Sequence, residues 1–176
     1  MKIVIDFLHP VYRAMRSDGI AEISGLRTRV VVWLLHRMFI LTRGMTMGVR
    51  AACFDEAGRV FLVRHTYVPG WYIPGGGMER GETALQALAK ELQEEGNLEM
   101  IEAPELVHVY FNRGASPRDH VLFYRVTVTQ TTPRKPDREI AESGFFALDA
   151  LPDGVTAATL RRLGELAGDA AKSDHW

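Results

Sequence analysis

The stretch GGMERGETALQALAKELQEEGNL, residues 76–98, decides how this 176-residue chain is read. Leu85, Leu88 and Leu92 recur at three- and four-residue spacing and form an apolar stripe. Thr83 and Gln86 stand as T-x-x-Q, a pattern in which each side chain satisfies the other residue's free amide at a helix start. The spacing therefore predicts a helix from Thr83 to Glu95. Glu91, Glu94 and Glu95 fall at i, i+3 and i+4, inside one sector about 100° wide when each residue turns the helix by about 100°. Ala87, one turn earlier in that sector, is expected to leave room above the carboxylates, with the leucines in the adjacent sector facing the core.

Like charges at these spacings cost a few tenths of a kcal/mol per pair when exposed, and more where the effective dielectric falls. A cation should offset that cost, and hard carboxylate oxygens suit Mg2+ or Mn2+ rather than zinc. The run Gly75-Gly76-Gly77 just before the helix lets the backbone approach a ligand closely and offers a free carbonyl as a metal ligand. Either feature alone is weak, because acidic helix stripes usually mark solvated faces.

Taken together these residues resemble the Nudix box, G-x5-E-x7-R-E-U-x-E-E-x-G-U, where U is a bulky aliphatic. Gly76, Glu82, Glu91, Leu92, Glu94, Glu95 and Leu98 fill seven of its nine specified positions at the required spacing. The approach Trp71-Tyr72-Ile73-Pro74-Gly75-Gly76-Gly77 is also similar to that of the family. Lys90 stands in place of the arginine, which keeps the charge but loses the planar fork. Asn97 replaces the last glycine and is a residue that tolerates the left-handed conformation.

The resemblance implies an α+β fold, an α/β/α sandwich around a mixed β-sheet, over residues 46–176. It implies Glu94 and Glu95 as principal ligands of Mg2+ (or Mn2+), helped by the Gly76 carbonyl. Glu91 would bind a second metal or act as general base, and Glu82 would be structural and pair with Lys90. The implied reaction is attack by metal-activated water on a diphosphate linkage. Its substrate would be a nucleoside diphosphate joined to another group, such as ADP-ribose or a nucleotide sugar, or a nucleoside triphosphate. Two alternatives use the same scaffold: a nucleotide sensor with weak turnover, and an isoprenoid-diphosphate isomerase, which would want a reactive cysteine.

Working outward, Val49–Asp55 and Val60–Thr66 read as strands joined by a turn at Asp55-Glu56-Ala57-Gly58. Further strands are expected at Glu105–Asn112, His120–Thr129 and Gly144–Leu148, then a helix from Thr156 to Ala170 and a frayed tail from Lys172 to Trp176. Candidate substrate contacts are Arg64, in a strand leading toward the glycines, and the aromatics Tyr67, Trp71 and Tyr72. A further carboxylate is sought at Glu139 or Glu142; His65 and His120 are read as structural.

Residues 1–45 are expected to be a helical extension, with one helix from Arg27 to Thr42 and Gly44 as its stop. It would pack on the domain, on a twin subunit to give a homodimer, or on a membrane surface. The apolar segment Val30–Leu41 holds His36 and Arg37 and falls short of the roughly 20 apolar residues a membrane span needs. Met1–Pro10 carries no secretory pattern. A hydrophobic fraction of 47%, 24% charged residues and a formal net charge of −1 describe an ordinary globular chain. That charge gives no general pull toward bulk nucleic acid, so the expected partner is a small-molecule nucleotide. The single cysteine, Cys53, suits a reducing, cytoplasmic setting.

Overall fold

The computed structural model describes residues 26–42 and 44–176. The chain divides into two units, Met1–Gly44 and Met45–Trp176. Within the first lies helix α1 (Leu26–Thr42). Six consecutive apolar residues, Val30–Leu35, wrap the whole circumference of a helix that turns every 3.6 residues. Val30, Val31, Trp33 and Leu34 are accordingly exposed, and the Arg37 guanidinium lies 5.2 Å from the Trp33 ring centroid. Residues 1–25 and 43 of the expected 1–45 extension lie outside the described residues. No described helix is long and apolar enough to cross a membrane.

The second unit runs β1 (Thr46–Phe54), β2 (Val60–His65), α2 (Ala84–Gly96), β3 (Leu98–Met100), β4 (Glu105–Phe111), β5 (Asp119–Gln130), β6 (Ile140–Phe146) and α3 (Ala157–Ala167). The strands form one mixed sheet in the order β3-β5-β1-β2-β6, with β4 also beside β5. The β1–β5 pair is parallel and the other pairs are antiparallel. Successive strand residues point to opposite faces, and the two faces hold separate cores. Val49, Ala51, Cys53, Phe61 and Val63 meet Ala87, Leu88 and Leu92 of α2. Ala52, Val60 and Leu62 meet Trp71 and Leu163 of α3. This is the α/β/α sandwich the sequence resemblance implies. Leu88 and Leu92 are wholly buried, a gain of about 1.5–3 kcal/mol for each side chain.

At the Asp55–Gly58 turn the Asp55 carboxylate accepts the amides of Ala57 at 3.1 Å and Arg59 at 2.8 Å, and β1 and β2 pair at Phe54 and Val60. Beyond that point residues 71–78 run between the two strands. Tyr72 exchanges two backbone hydrogen bonds with Val63 of β2, at 2.8 and 3.0 Å. On the other side Ala51 donates to Pro74 O at 3.1 Å, Val49 to Gly76 O at 2.9 Å, and Met78 to Met47 O at 2.9 Å. Gly75 adopts φ 135° there, and a Cβ on it would stand 2.1 Å from Val49 O. What reads as a proline- and glycine-rich loop is thus an extended segment filling the gap in the sheet.

Several elements differ from expectation. Leu85 is exposed, because the buried arc of α2 is centred on Leu88, Leu92 and Glu95, and Ala87 is wholly buried in the core. The strand expected at Gly144–Leu148 is β6, which begins at Ile140 because it pairs along β2. α3 stops at Ala167, where Gly168 caps it with φ 83°. The tail is docked and not frayed: Phe111 donates to Asp174 O at 2.8 Å and Trp176 to Phe111 O at 3.2 Å. The Trp176 ring packs against Tyr110 and Phe123 on the α3 face.

Candidate active site

The capping box at Thr83 and Gln86 starts α2, and Asn97 ends it in the left-handed conformation with φ 51°. Those two ends fix which side chains the helix turns toward the glycines. Glu95 is buried: its Oε2 accepts the Gly75 amide at 2.8 Å, and its Oε1 lies 3.6 Å from His65 Nε2. Glu91 is half-buried and packs on Gly76, where a Cβ would come within 2.5–2.7 Å of its carboxylate. Glu94 is exposed. A cleft of about 520 Å³ is lined by Glu91, Gln93, Glu94, Glu95, Asn97, Arg134, Glu139 and Ile140. Four carboxylates therefore face one cavity. They do not converge: among the described residues no three His, Cys, Asp or Glu side chains stand close enough to hold a metal ion. The Gly76 carbonyl already accepts the Val49 amide, which leaves one of its two lone pairs.

Burial pushes the Glu95 carboxyl up to about 7, against the pull of the Gly75 amide and the Arg50 charge; the charges of Glu91 and Glu139 push it further. Glu91 is also raised, first by burial and then by Glu94, with Lys90 and Arg50 opposing. The imidazole of His65 is held below its ordinary range by burial and by Arg50, with Glu139 opposing. Arg50 is thus a cation set among these acids, fixed by donating to Ile73 O at 2.8 Å. Reading the sequence missed Arg50, and took His65 as structural without its contact to Glu95. The available signal was an ionised side chain in the middle of the apolar strand Val49–Asp55.

Glu82 accepts the Glu79 amide at 2.8 Å and lies 3.1 Å from Lys90 Nζ, outside the cleft lining. These contacts hold Glu82 below its ordinary range, and the Glu82 hydrogen bond raises Lys90.

Three of the candidate substrate contacts face elsewhere. Arg64 and Glu142 pair with each other across β2 and β6. Strand alternation turns Val63 and His65 toward α2, so Arg64 points to the other face, 5.8 Å from the Trp71 ring. Trp71 is a core residue against Phe146, not an open stacking surface. Glu142 is held opposite Arg64 within the sheet, whereas Glu139, in the turn just before β6, lines the cleft. Tyr67 is exposed with its ring 5.2 Å from that of His65. Tyr72 packs on the α2-side core and donates to Pro69 O at 2.9 Å.

Residues 44–165 match the NUDIX domain. The 8-oxo-dGDP phosphatase NUDT18 of Homo sapiens is 34% identical over 131 residues, which are 72% of this chain and 40% of that protein. An RNA pyrophosphohydrolase of Stenotrophomonas maltophilia is 43% identical over 74 residues, 42% of this chain and 32% of that one. The matched part therefore spans at most 40% of the length of either relative. Among solved structures, a MutT NUDIX hydrolase from Burkholderia pseudomallei superposes with a TM-score of 0.58 at 26% identity, covering 69% of this chain and 97% of that one. An ADP-ribose pyrophosphatase from Streptococcus suis gives 0.56 at 29% identity, covering 74% and 95%. With a glycine segment set into the sheet and a glutamate-bearing helix laid against it, the chain belongs to the Nudix hydrolase family.

Proposed function

We propose that this protein is a metal-dependent hydrolase that cleaves a phosphoanhydride bond in a nucleoside diphosphate derivative or a nucleoside triphosphate. One observation carries the reading: Glu91, Glu94, Glu95 and Glu139 line a single cleft, and two of them are seated against Gly75 and Gly76. Crowding acids in a partly buried cleft is unfavourable without a cation. The donors are all hard oxygens, which fit Mg2+ or Mn2+. Glu94 and Glu95 would hold the ion with the remaining lone pair of the Gly76 carbonyl and Glu139 as a further donor, a set that has to draw together from the spread positions seen here. When bound, such an ion neutralises phosphate charge and makes water more acidic.

The protein's own groups supply the rest. Glu91, half-buried with its proton affinity raised, is suited to accept the proton of the attacking water at its carboxylate. Arg50 balances charge among the acids. The exposed Tyr67 ring beside His65 offers a surface for a base. The named activities of the relatives, on 8-oxo-dGDP and ADP-ribose, support a nucleoside diphosphate as the recognised unit.

A nucleotide-binding protein without efficient turnover is the second reading, favoured by Lys90 in place of the family's arginine. The isomerase reading is disfavoured, because Cys53 is wholly buried and burial raises its thiol well above the usual range. A cytoplasmic setting, with that lone thiol reduced, belongs to the same proposal. So does a homodimer through α1, supported by its exposed Trp33 and Leu34; light scattering on the full chain and on Leu34→Glu tests it, and a monomer in both overturns it.

The deciding assay incubates the purified protein with Mg2+ and nucleoside triphosphates, ADP-ribose, nucleotide sugars or dinucleoside polyphosphates, and measures phosphate-bond cleavage. Turnover that vanishes in Glu94→Gln and Glu95→Gln is the expected result. Tight nucleotide binding without cleavage in Mg2+ or Mn2+ favours the second reading.

A further inference from the structure

The segment after β5 carries Glu139 back over the C-terminal end of α2. Arg134 fastens it there: its Nε donates to the Glu94 carbonyl at 2.7 Å, and a terminal nitrogen donates to the Asp137 carboxylate. Asp137 Oδ1 in turn accepts the amides of Glu139 at 2.9 Å and Ile140 at 2.8 Å. The Asp137 amide donates to Ile140 O at 2.9 Å, and Thr66 donates to Glu139 O at 2.9 Å. A continuous set of hydrogen bonds therefore links the backbone of Glu94 to the backbone of Glu139, and both residues line the cleft.

We propose that Arg134 and Asp137 are positioning residues that hold Glu139 across the cleft from the carboxylates of α2. Glu139 is exposed, and its charge acts unfavourably on both Glu91 and Glu95. Left untethered, such a side chain gains by turning toward water. The clasp opposes that by fixing the backbone on which Glu139 stands. Arg134 suits the task because a planar guanidinium donates in several fixed directions at once, and because a cation is favourable at the carbonyl end of a helix. Neither residue belongs to the glycine–glutamate motif, and the inference rests on the hydrolase reading above for its catalytic consequence.

Two measurements on the full chain decide it. Arg134→Ala should speed deuterium exchange at the amides of Glu139 and Ile140 by about tenfold or more, as local opening becomes easier. It should lower kcat by about tenfold with little change in KM, the usual scale for a residue that orients a ligand-bearing one. Arg134→Lys, which lacks the fork, should resemble Arg134→Ala. In a Glu139→Gln background, Arg134→Ala should lower kcat no further. Unchanged exchange at both amides overturns the clasp. So does a kcat loss that adds in full to that of Glu139→Gln, since Arg134 would then act by another route. A wild type that turns over none of the nucleotides removes the hydrolase reading, and the exchange measurement still decides the clasp by itself.

Discussion

The buried carboxylate of Glu95 is hydrogen-bonded to the backbone amide of Gly75 at 2.8 Å. That one bond ties an acid of α2 to the segment that parts β1 from β2, so the helix and the sheet share the geometry of the cleft. It also partly offsets the cost of burying a charge, without abolishing it, since the group's pKa stays raised to about 7.

Stability should follow that raised value. Between the ordinary carboxyl pKa of 4.5 and about 7 the folded protein keeps a proton that the unfolded chain has released. Stability is therefore full below pH 4.5 as far as this group is concerned, and falls as pH rises toward 7 and beyond. The change should be on the order of 1–3 kcal/mol. Thermal melts of metal-free protein between pH 4.5 and 8 check it, and Glu95→Gln should flatten the slope. Added Mg2+ at pH 8 should raise the melting temperature of the wild type more than that of the variant.

Neighbouring glycines should fail in different ways. A Cβ at Gly75 meets the Val49 backbone at 2.1 Å in a left-handed conformation, so Gly75→Ala should destabilise by several kcal/mol or prevent folding. The nearest atoms to a Cβ at Gly76 are those of the movable carboxylate of Glu91, at 2.5–2.7 Å. Gly76→Ala should fold with a near-normal melting temperature and lose turnover. Gly77→Ala, with nothing within 4 Å, should be close to neutral in both.

Lys90 and Glu82 form a single contact at 3.1 Å. Lys90→Arg supplies the planar fork at the same site, and its turnover should match or exceed that of the wild type. Lys90→Ala should lower turnover while leaving the melting temperature nearly unchanged, because surface pairs contribute little.

Glu165 offers a contrast on the far face of the sheet. It accepts from the wholly buried Arg162 and from the Tyr110 hydroxyl, each at 2.6 Å. Glu165→Ala strands a buried guanidinium and should cost about 3–5 kcal/mol. Denaturant melts should register that loss, with kcat of the remaining folded fraction unchanged.

Much of this arrangement was written locally. The T-x-x-Q signal placed the start of α2 within a residue, and the 46–54 and 60–65 strands and their turn follow from short-range pattern. The cleft acids on α2 were legible for the same reason, since their spacing alone puts them on one side. Contacts made across the sheet were not. Choosing Glu139 over Glu142 depends on the pairing of Glu142 with Arg64 across the sheet and on the Asp137 turn that precedes β6, which no local pattern announces. Trp71 looked like a stacking residue because its burial depends on α3, which lies far along the chain. Lys172–Trp176 looked frayed because their partners, Phe111 and Tyr110, belong to β4.

Because residues 71–78 serve as a rung between β1 and β2, this segment is not modular. Splicing in a longer version, or nicking the chain there, would strip hydrogen bonds from two central strands together. The connection at 112–118 lies outside the cleft lining. Engineering of this scaffold should begin there and leave the glycines and the 134–139 clasp alone.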